Sequence, residues 1–378
     1  MKRFATCVLF LSLALPLHGQ SGIELPKPSA GSLGIHFKLM QSIPYQGLGG
    51  YGRNEDDEPA AILRPDNKTI ALPVRRSYNA RYSDDNSGTE FKLYNVVSGN
   101  VVGSLGLIQA ISVASPDLSV AVGCNVSYGL VSSNKVSLDF YRLGGSGTLH
   151  PSASAQLKDC SPSEPFQFSP VGSFLALVVD QKVEIWDSRN AKLVATLTTS
   201  DKITHVSFSS DSRMMLASAE DGTVRVWEIP SGQIIQTFDA QHSVNWADFV
   251  PGRAAICALT GDGGVFIWDL KTGQRVIFFN LDPRDDGRRV GVLSPDGRLL
   301  ITPGSDSVTG PDGQRLLDEG VAYDLQSGAR LAALQVEYDA GSGRVLDVGI
   351  SPDGTMVVTT RDAEDGNYIV HIWRIERE

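Results

Sequence analysis

The strongest constraint on this chain is a repeat. The stretch VRVWEIPSGQIIQTF, which begins at Val224, returns as VFIWDLKTGQRVIFF, which begins at Val265. Trp186, Trp227 and Trp268 stand 41 residues apart. Outside them, an aromatic residue followed by a polar turn recurs at Tyr94, Tyr141, Tyr323 and Trp373. A second motif alternates with the first: LRPDNK from Leu63, ASPDLS from Ala114, FSPVGS from Phe168, FSSDSR from Phe208, FVPGR from Phe249, LSPDGR from Leu293 and ISPDGT from Ile350. Seven of each, at a period of about 40–45 residues, predict an all-β chain: a seven-bladed β-propeller of four-stranded antiparallel blades.

The residue types have physical reasons. In an S-P-D-G turn, Pro presets φ at the second position, Asp bonds its own backbone two residues on, and Gly takes the left-handed conformation. Such a turn joins two antiparallel strands with little loop. The strands read as short apolar runs, as in VSFSSDSRMMLASA and VGVLSPDGRLLITP. A strand covered on both faces by neighbouring blades should read that way rather than alternate. The Trp at the end of a third strand carries enough surface to wedge against the next blade.

Ile185–Trp186–Asp187, Val226–Trp227–Glu228 and Ile267–Trp268–Asp269, taken with the S-P-D-G turns, resemble the WD-repeat family in a secreted, bacterial-type member. The resemblance runs from about Glu58 to the end and is sharpest in the three central blades. It implies an Asp six residues ahead of each Trp, in the turn before the third strand. Asp180, Asp221 and Asp262 stand at that spacing from Trp186, Trp227 and Trp268, and Trp373 is the corresponding aromatic of the last blade. It also implies a structural His bonded towards that Asp. His242 matches for Asp262; the other blades lack such a His and must hold together mainly by packing.

Residues 1–20 read as a signal peptide: Lys2 and Arg3, the apolar run Phe4–Leu17, then Pro16 and Gly19 ahead of a cleavage point between Gly19 and Gly22. A membrane span needs about 20 apolar residues. Residues 21–57 form an N-terminal segment and 58–378 the propeller. The last blade ends after its third strand, in YIVHIWRIERE. LGIHFKLMQSI, residues 33–43, has no blade of its own and is predicted to supply the missing outer strand and close the ring. Of the four cysteines, Cys7 lies in the leader and Cys257 in an apolar strand; a Cys124–Cys160 bond and free thiols both stay open. Few cysteines behind a leader point to a bacterial periplasm. The formal charge of −10 argues against nucleic acid and anionic membrane surfaces as partners.

Loop length is the best functional clue. Turns from first to second strand and from third to fourth share one propeller face, and here all are short. The long connections open on the other face: PYQGLGGYGRNEDDE from Pro44, RRSYNARYSDDNSG from Arg75, NVSYGLVSSNK from Asn125, NLDPRDDGRR from Asn280, TPGSDSVTGPDGQRLLDEG from Thr302, VEYDAGSGR from Val336 and RDAEDGN from Arg361. Binding residues concentrate on loops held by a rigid scaffold. Arg75, Arg76, Tyr78, Arg81, Tyr82, Arg284, Arg288 and Arg289 are the candidates, since Arg and Tyr are enriched at recognition hot spots. The expected molecule is a monomeric protein- or peptide-binding scaffold without a cofactor. The alternative is a lactonase- or quinoprotein-like propeller enzyme with its site at the central channel. No G-x-S-x-G, H-E-x-x-H or C-x-x-C occurs. LDPRDDGRR and RDAEDGNY lack the alternating set that ends in Glu in a calcium loop. A channel enzyme needs converging polar groups, and the first strands offer little beyond His205 and Asp248. His371, inside a predicted strand, reads as a packed polar residue.

Overall fold

Short apolar runs cut by tight turns form strands, and each turn fixes the pairing of the two it joins. In the computed structural model, all regular structure among the described residues is strand. Described are residues 34–46, 61–64, 66–76, 88–105, 113–115, 117–127, 135–144, 149–157, 166–282, 290–304, 307–309, 314–337, 345–363 and 367–377. The proposed leader and the Cys124–Cys160 pair lie outside them, except for the Cys124 backbone.

The strands form seven sheets arranged as a β-propeller. Blade 1 is β2 (Ile62–Leu63), β3 (Thr69–Arg76), β4 (Gly88–Asn95) and β5 (Val101–Leu105). Blade 2 is β6 (Val113–Ala114), β7 (Val120–Ser127), β8 (Lys135–Leu143) and β9 (Leu149–Leu157). Blade 3 is β10 (Phe166–Phe168), β11 (Phe174–Val179), β12 (Lys182–Asp187) and β13 (Lys192–Thr198). Blade 4 is β14 (Ile203–Phe208), β15 (Met214–Ala219), β16 (Thr223–Glu228) and β17 (Ile234–Asp239). Blade 5 is β18 (Val244–Phe249), β19 (Ala255–Thr260), β20 (Gly264–Asp269) and β21 (Arg275–Asn280). Blade 6 is β22 (Val292–Leu293), β23 (Leu299–Pro303), β25 (Arg315–Asp324) and β26 (Arg330–Glu337), with a short extra strand β24 (Ser307–Thr309) paired to β25. Blade 7 joins β27 (Val345–Ile350), β28 (Met356–Asp362) and β29 (Asn367–Arg377) to β1 (Ile35–Gln46) from the other end of the chain.

That last pairing closes the ring. β1 runs antiparallel to β29 from Ile35 opposite Arg377 to Gln46 opposite Asn367, with one register shift between Leu39 and Gln41. Ile35 and Ile43 are buried by it.

The core is a series of layers between blades. Ala176, Val183 and Ile185 of blade 3 pack with Val206, Met215 and Trp227 of blade 4. Leu216, Val224 and Val226 pack with Val244, Ile256 and Trp268 of blade 5. The pleat therefore sends Val224 and Val226 forward and Trp227 back. Each central Trp packs against the preceding blade, not the next one as expected. Period-two alternation shows that a strand has two faces but not which neighbour each face meets.

Strands also run further than their apolar cores suggest. Arg75 and Arg76 lie in β3, Asn125 in β7, Pro44 in β1 and Arg361 in β28, where the sequence reading began connections. Backbone pairing in a hairpin continues past the last apolar residue, because the ladder needs only N–H and C=O groups.

The turns use the predicted chemistry. At Ser294–Gly297, the Ser294 hydroxyl donates to Asp296 at 2.5 Å, and the Arg298 and Leu299 N–H groups donate back to Asp296 and Ser294. The Ser209 hydroxyl and the Arg213 N–H hold Asp211 below its usual carboxylate range. Gly297 has φ +65°, and a Cβ there would meet the Pro251 carbonyl oxygen at 2.5 Å. Gly297→Ala is expected to cost about 2–3 kcal/mol from strain and the close approach, read from the midpoint of urea unfolding. A midpoint equal to wild type would contradict this account of the turn.

Candidate functional site

Because strands alternate in direction, the joins from second to third strand and from fourth strand to the next blade open on one face. Their lengths divide that face. Blades 3, 4 and 5 join second to third strand through residues 180–181, 220–222 and 261–263 only. Blades 1, 2 and 6 use 77–87, 128–134 and 304–314; blade 7 needs only 363–366, nearly as short as the joins on the other side of the ring, because β28 and β29 run into the stretch read as a long connection from Arg361. The joins between blades divide in the same way. Residues 199–202 and 240–243 connect blades 3 to 4 and 4 to 5, whereas 281–291, 338–344, 47–61, 106–112 and 158–165 make the rest. The described strand ends that bracket the longer connections thus follow one another around the ring, from the end of blade 5 through ring closure to the start of blade 3, while most residues of the connections themselves lie outside the described part of the chain. The short joins of blades 3 to 5 occupy the remaining sector, where the Trp repeat is most regular.

Of the candidate binding residues, two have a described backbone. Arg75 and Arg76 end β3 on this face, opposite Thr89 and Gly88. Tyr78, Arg81, Tyr82, Arg284, Arg288 and Arg289 lie outside the described residues.

The repeat aspartates lie in the short sector. Asp221 accepts from the Thr223 N–H and hydroxyl at 2.9 and 2.6 Å and from the Ser200 hydroxyl. Asp262 accepts from the Thr260 hydroxyl at 2.6 Å, and this bond, with a smaller contribution from His242, holds its carboxyl below the usual range. His242 Nδ1 stands 3.5 Å from Asp262 Oδ2 with both side chains exposed, so the pair adds little stability. Asp180 takes φ +55° in the corresponding turn of blade 3. Trp186 Nε1 donates to Glu184 at 3.1 Å. Trp268 stacks on Phe266 at 5.4 Å between ring centroids and leans on Phe238. The Asp221 and Asp262 bonds thus brace their own turns, and Trp268 packs between Phe266 of its own blade and Phe238 of the preceding one.

On the innermost strands, His205 Nδ1 faces the Ala247 carbonyl at 2.9 Å, and the Ser207 hydroxyl donates to Asp248 at 2.5 Å. The Ser207 hydroxyl is thus bonded to a carboxyl rather than to the imidazole, so this trio is not arranged as an activated nucleophile. Cys257, opposite Asp248 in the register, is a buried free thiol. Burial, then the Asp248 charge, push it far from the thiolate form. Among the described residues, no group of three or more His, Cys, Asp or Glu is placed to hold a metal ion.

Sequence reasoning missed a buried polar cluster between blades 6 and 7. Glu319 of β25 is fully buried. It meets His371 Nδ1 at 2.7 Å, the Thr359 hydroxyl at 2.5 Å and Arg361 Nε at 3.1 Å. Trp373 Nε1 donates to the same Thr359 at 3.0 Å, and the His371 and Trp373 rings meet edge to face. Next to it, Asp318 pairs with Arg330 and Gln335 of β26, and a register shift at Asp318–Gly320 turns the two acids to different partners. His371 is therefore a packed polar residue with a charged partner from another blade. The available signal was Asp318–Glu319 inside LLDEGVAYD, two acids in an otherwise apolar strand.

Residues 191–228 match the family model described as WD domain, G-beta repeat. The match spans β13 to β16, the outer strand of blade 3 and the first three strands of blade 4. No curated protein matches the chain.

Proposed function

We propose that this chain is a non-enzymatic scaffold, exported to the periplasm or beyond, that holds a protein or peptide on the arc of long connections. One observation carries the reading: on a closed ring of seven blades, the strand ends separated by the longest stretches of sequence follow one another from the end of blade 5 round to the start of blade 3. A ring with buried seams is a rigid support, and recognition on such supports falls to their loops. Propellers with WD repeats commonly serve as protein-interaction scaffolds, which agrees with the matched repeat. Arg75, Arg76, Arg81, Arg288 and Arg289 are proposed for partner contact, with Tyr78, Tyr82 and Arg284 as further candidates from the same stretches of sequence.

The test is a cross-linked pull-down from the native envelope fraction, with the protein beside a variant carrying Ala at those five arginines. The expected result is a partner held by the first and reduced at least about tenfold in the second, since hot-spot truncation costs roughly 2 kcal/mol or more. A partner held equally by both moves the interface to the rim or the short-turn face. No partner at all contradicts the scaffold reading.

A further inference from the structure

We infer that the seam between blades 4 and 5 at the channel wall is closed by a compensating proton exchange: on folding, Asp248 takes up one proton and His205 gives one up. The exchange belongs to the window of about pH 4–6, where both groups are neutral in the folded seam and charged in the unfolded chain, so that uptake and release offset each other.

The geometry is that of two ionisable groups without counter-ions. His205 and Asp248 sit on β14 and β18, innermost strands of adjacent blades, and both are half-buried. His205 Nδ1 faces a backbone carbonyl, so that nitrogen carries the hydrogen, and the ring tilts against Trp246 at 6.0 Å. Asp248 accepts from the Ser207 hydroxyl and the Phe249 N–H, two neutral donors. The charged groups of the packed elements are engaged elsewhere or missing. β10, β15 and β19 carry none apart from the Cys257 thiol, β14 has only His205, and β18 has only Asp248. On β16, Arg225 donates to Ser200, and Glu228 accepts from Ser231. A charge that leaves water without a partner disfavours its own ionisation. Burial accordingly lowers His205 to about 4, against the opposing pull of the Ala247 carbonyl, and raises Asp248 to about 6, against its two hydrogen bonds.

The signs are opposite. A carboxyl raised on folding contributes stability in acid that is lost as pH rises through about 6. An imidazole lowered on folding costs stability as pH falls below its unfolded value of 6.5. Between pH 7.5 and 5, the Asp248 effect favours folding about tenfold and the His205 effect opposes it about thirtyfold. The two effects oppose each other, so the seam as a whole moves less with pH than either group alone would make it.

The experiment measures unfolding equilibria in urea at pH 5 and pH 7.5 for the protein, Asp248→Asn and His205→Gln. Asn mimics the protonated acid, and Gln keeps a donor for the Ala247 carbonyl. Relative to wild type, the folding constant of Asp248→Asn is expected to fall about tenfold between pH 7.5 and 5, and that of His205→Gln to rise about thirtyfold. Either ratio staying constant across this range overturns the inference. Should a variant fail to fold, the His205 ring protons of the unmodified protein decide by NMR. Their titration near 6.5 overturns the exchange, and titration near 4 supports it.

Discussion

Replacing Glu319 by alanine is expected to cost about 3–5 kcal/mol of unfolding free energy. The loss is large because of what remains behind. Arg361 and His371 stay buried at the blade 6–blade 7 seam without their shared carboxylate, and Thr359 loses its acceptor while still receiving the Trp373 N–H. Glu319→Gln keeps the shape and one acceptor, so it should cost less, though still more than about 1 kcal/mol, because the buried ion pair with Arg361 is lost. The control is Glu220→Ala, which breaks the exposed Lys202–Glu220 pair at 2.9 Å. That pair is worth less than about 1 kcal/mol. Urea unfolding measures all three, and equal costs for Glu319→Ala and Glu220→Ala would show that the buried cluster is not a stabilising contact.

Removing the closing strand should cost more still. A chain that begins after Gln46 leaves the β29 edge unpaired from Asn367 to Arg377 and uncovers the blade 7 face that Ile35 and Ile43 seal. Even a handful of lost ladder bonds, at about 0.5–1.5 kcal/mol each, sums to roughly 5 kcal/mol before any apolar burial is counted. The melting temperature should drop by at least about 10 °C, and the exposed edge should promote aggregation. An unchanged melting temperature in differential scanning calorimetry would falsify closure by β1.

The blades were legible because their signals are local. Trp227 lies in a short strand, and the turns around it use residues whose backbone preferences act within four positions. Closure by β1 was legible for a different reason: an orphan strand and a blade lacking one strand must meet. The Glu319 cluster was not legible. Its carboxylate and its partners come from different blades, Thr359 and Arg361 from β28 and His371 from β29. Arg361 in TTRDAEDG looks like the start of a loop. Which of two neighbours a pleated face meets is likewise a property of the assembled ring, which is why the direction of the Trp227 wedge came out reversed. The face of the longer connections was read by counting loop lengths, while their grouping around the ring emerged only from the strand bounds, and the residues proposed to bind there stand mostly outside the described part of the chain.

The pairing of Ile35 with Arg377 also bears on how fast the ring forms. Every other blade is a run of consecutive strands that can zip up from neighbouring residues. Blade 7 alone requires two segments from opposite ends of the sequence to find each other. The entropy of closing so long a loop grows only logarithmically with its length, so the equilibrium penalty is modest. The search is what suffers, because non-local pairing slows folding far more than it weakens the folded state. The same joint that gives the ring its last seal therefore sets a late step in its assembly, and until then the edge of β29 is open to any other strand that reaches it first.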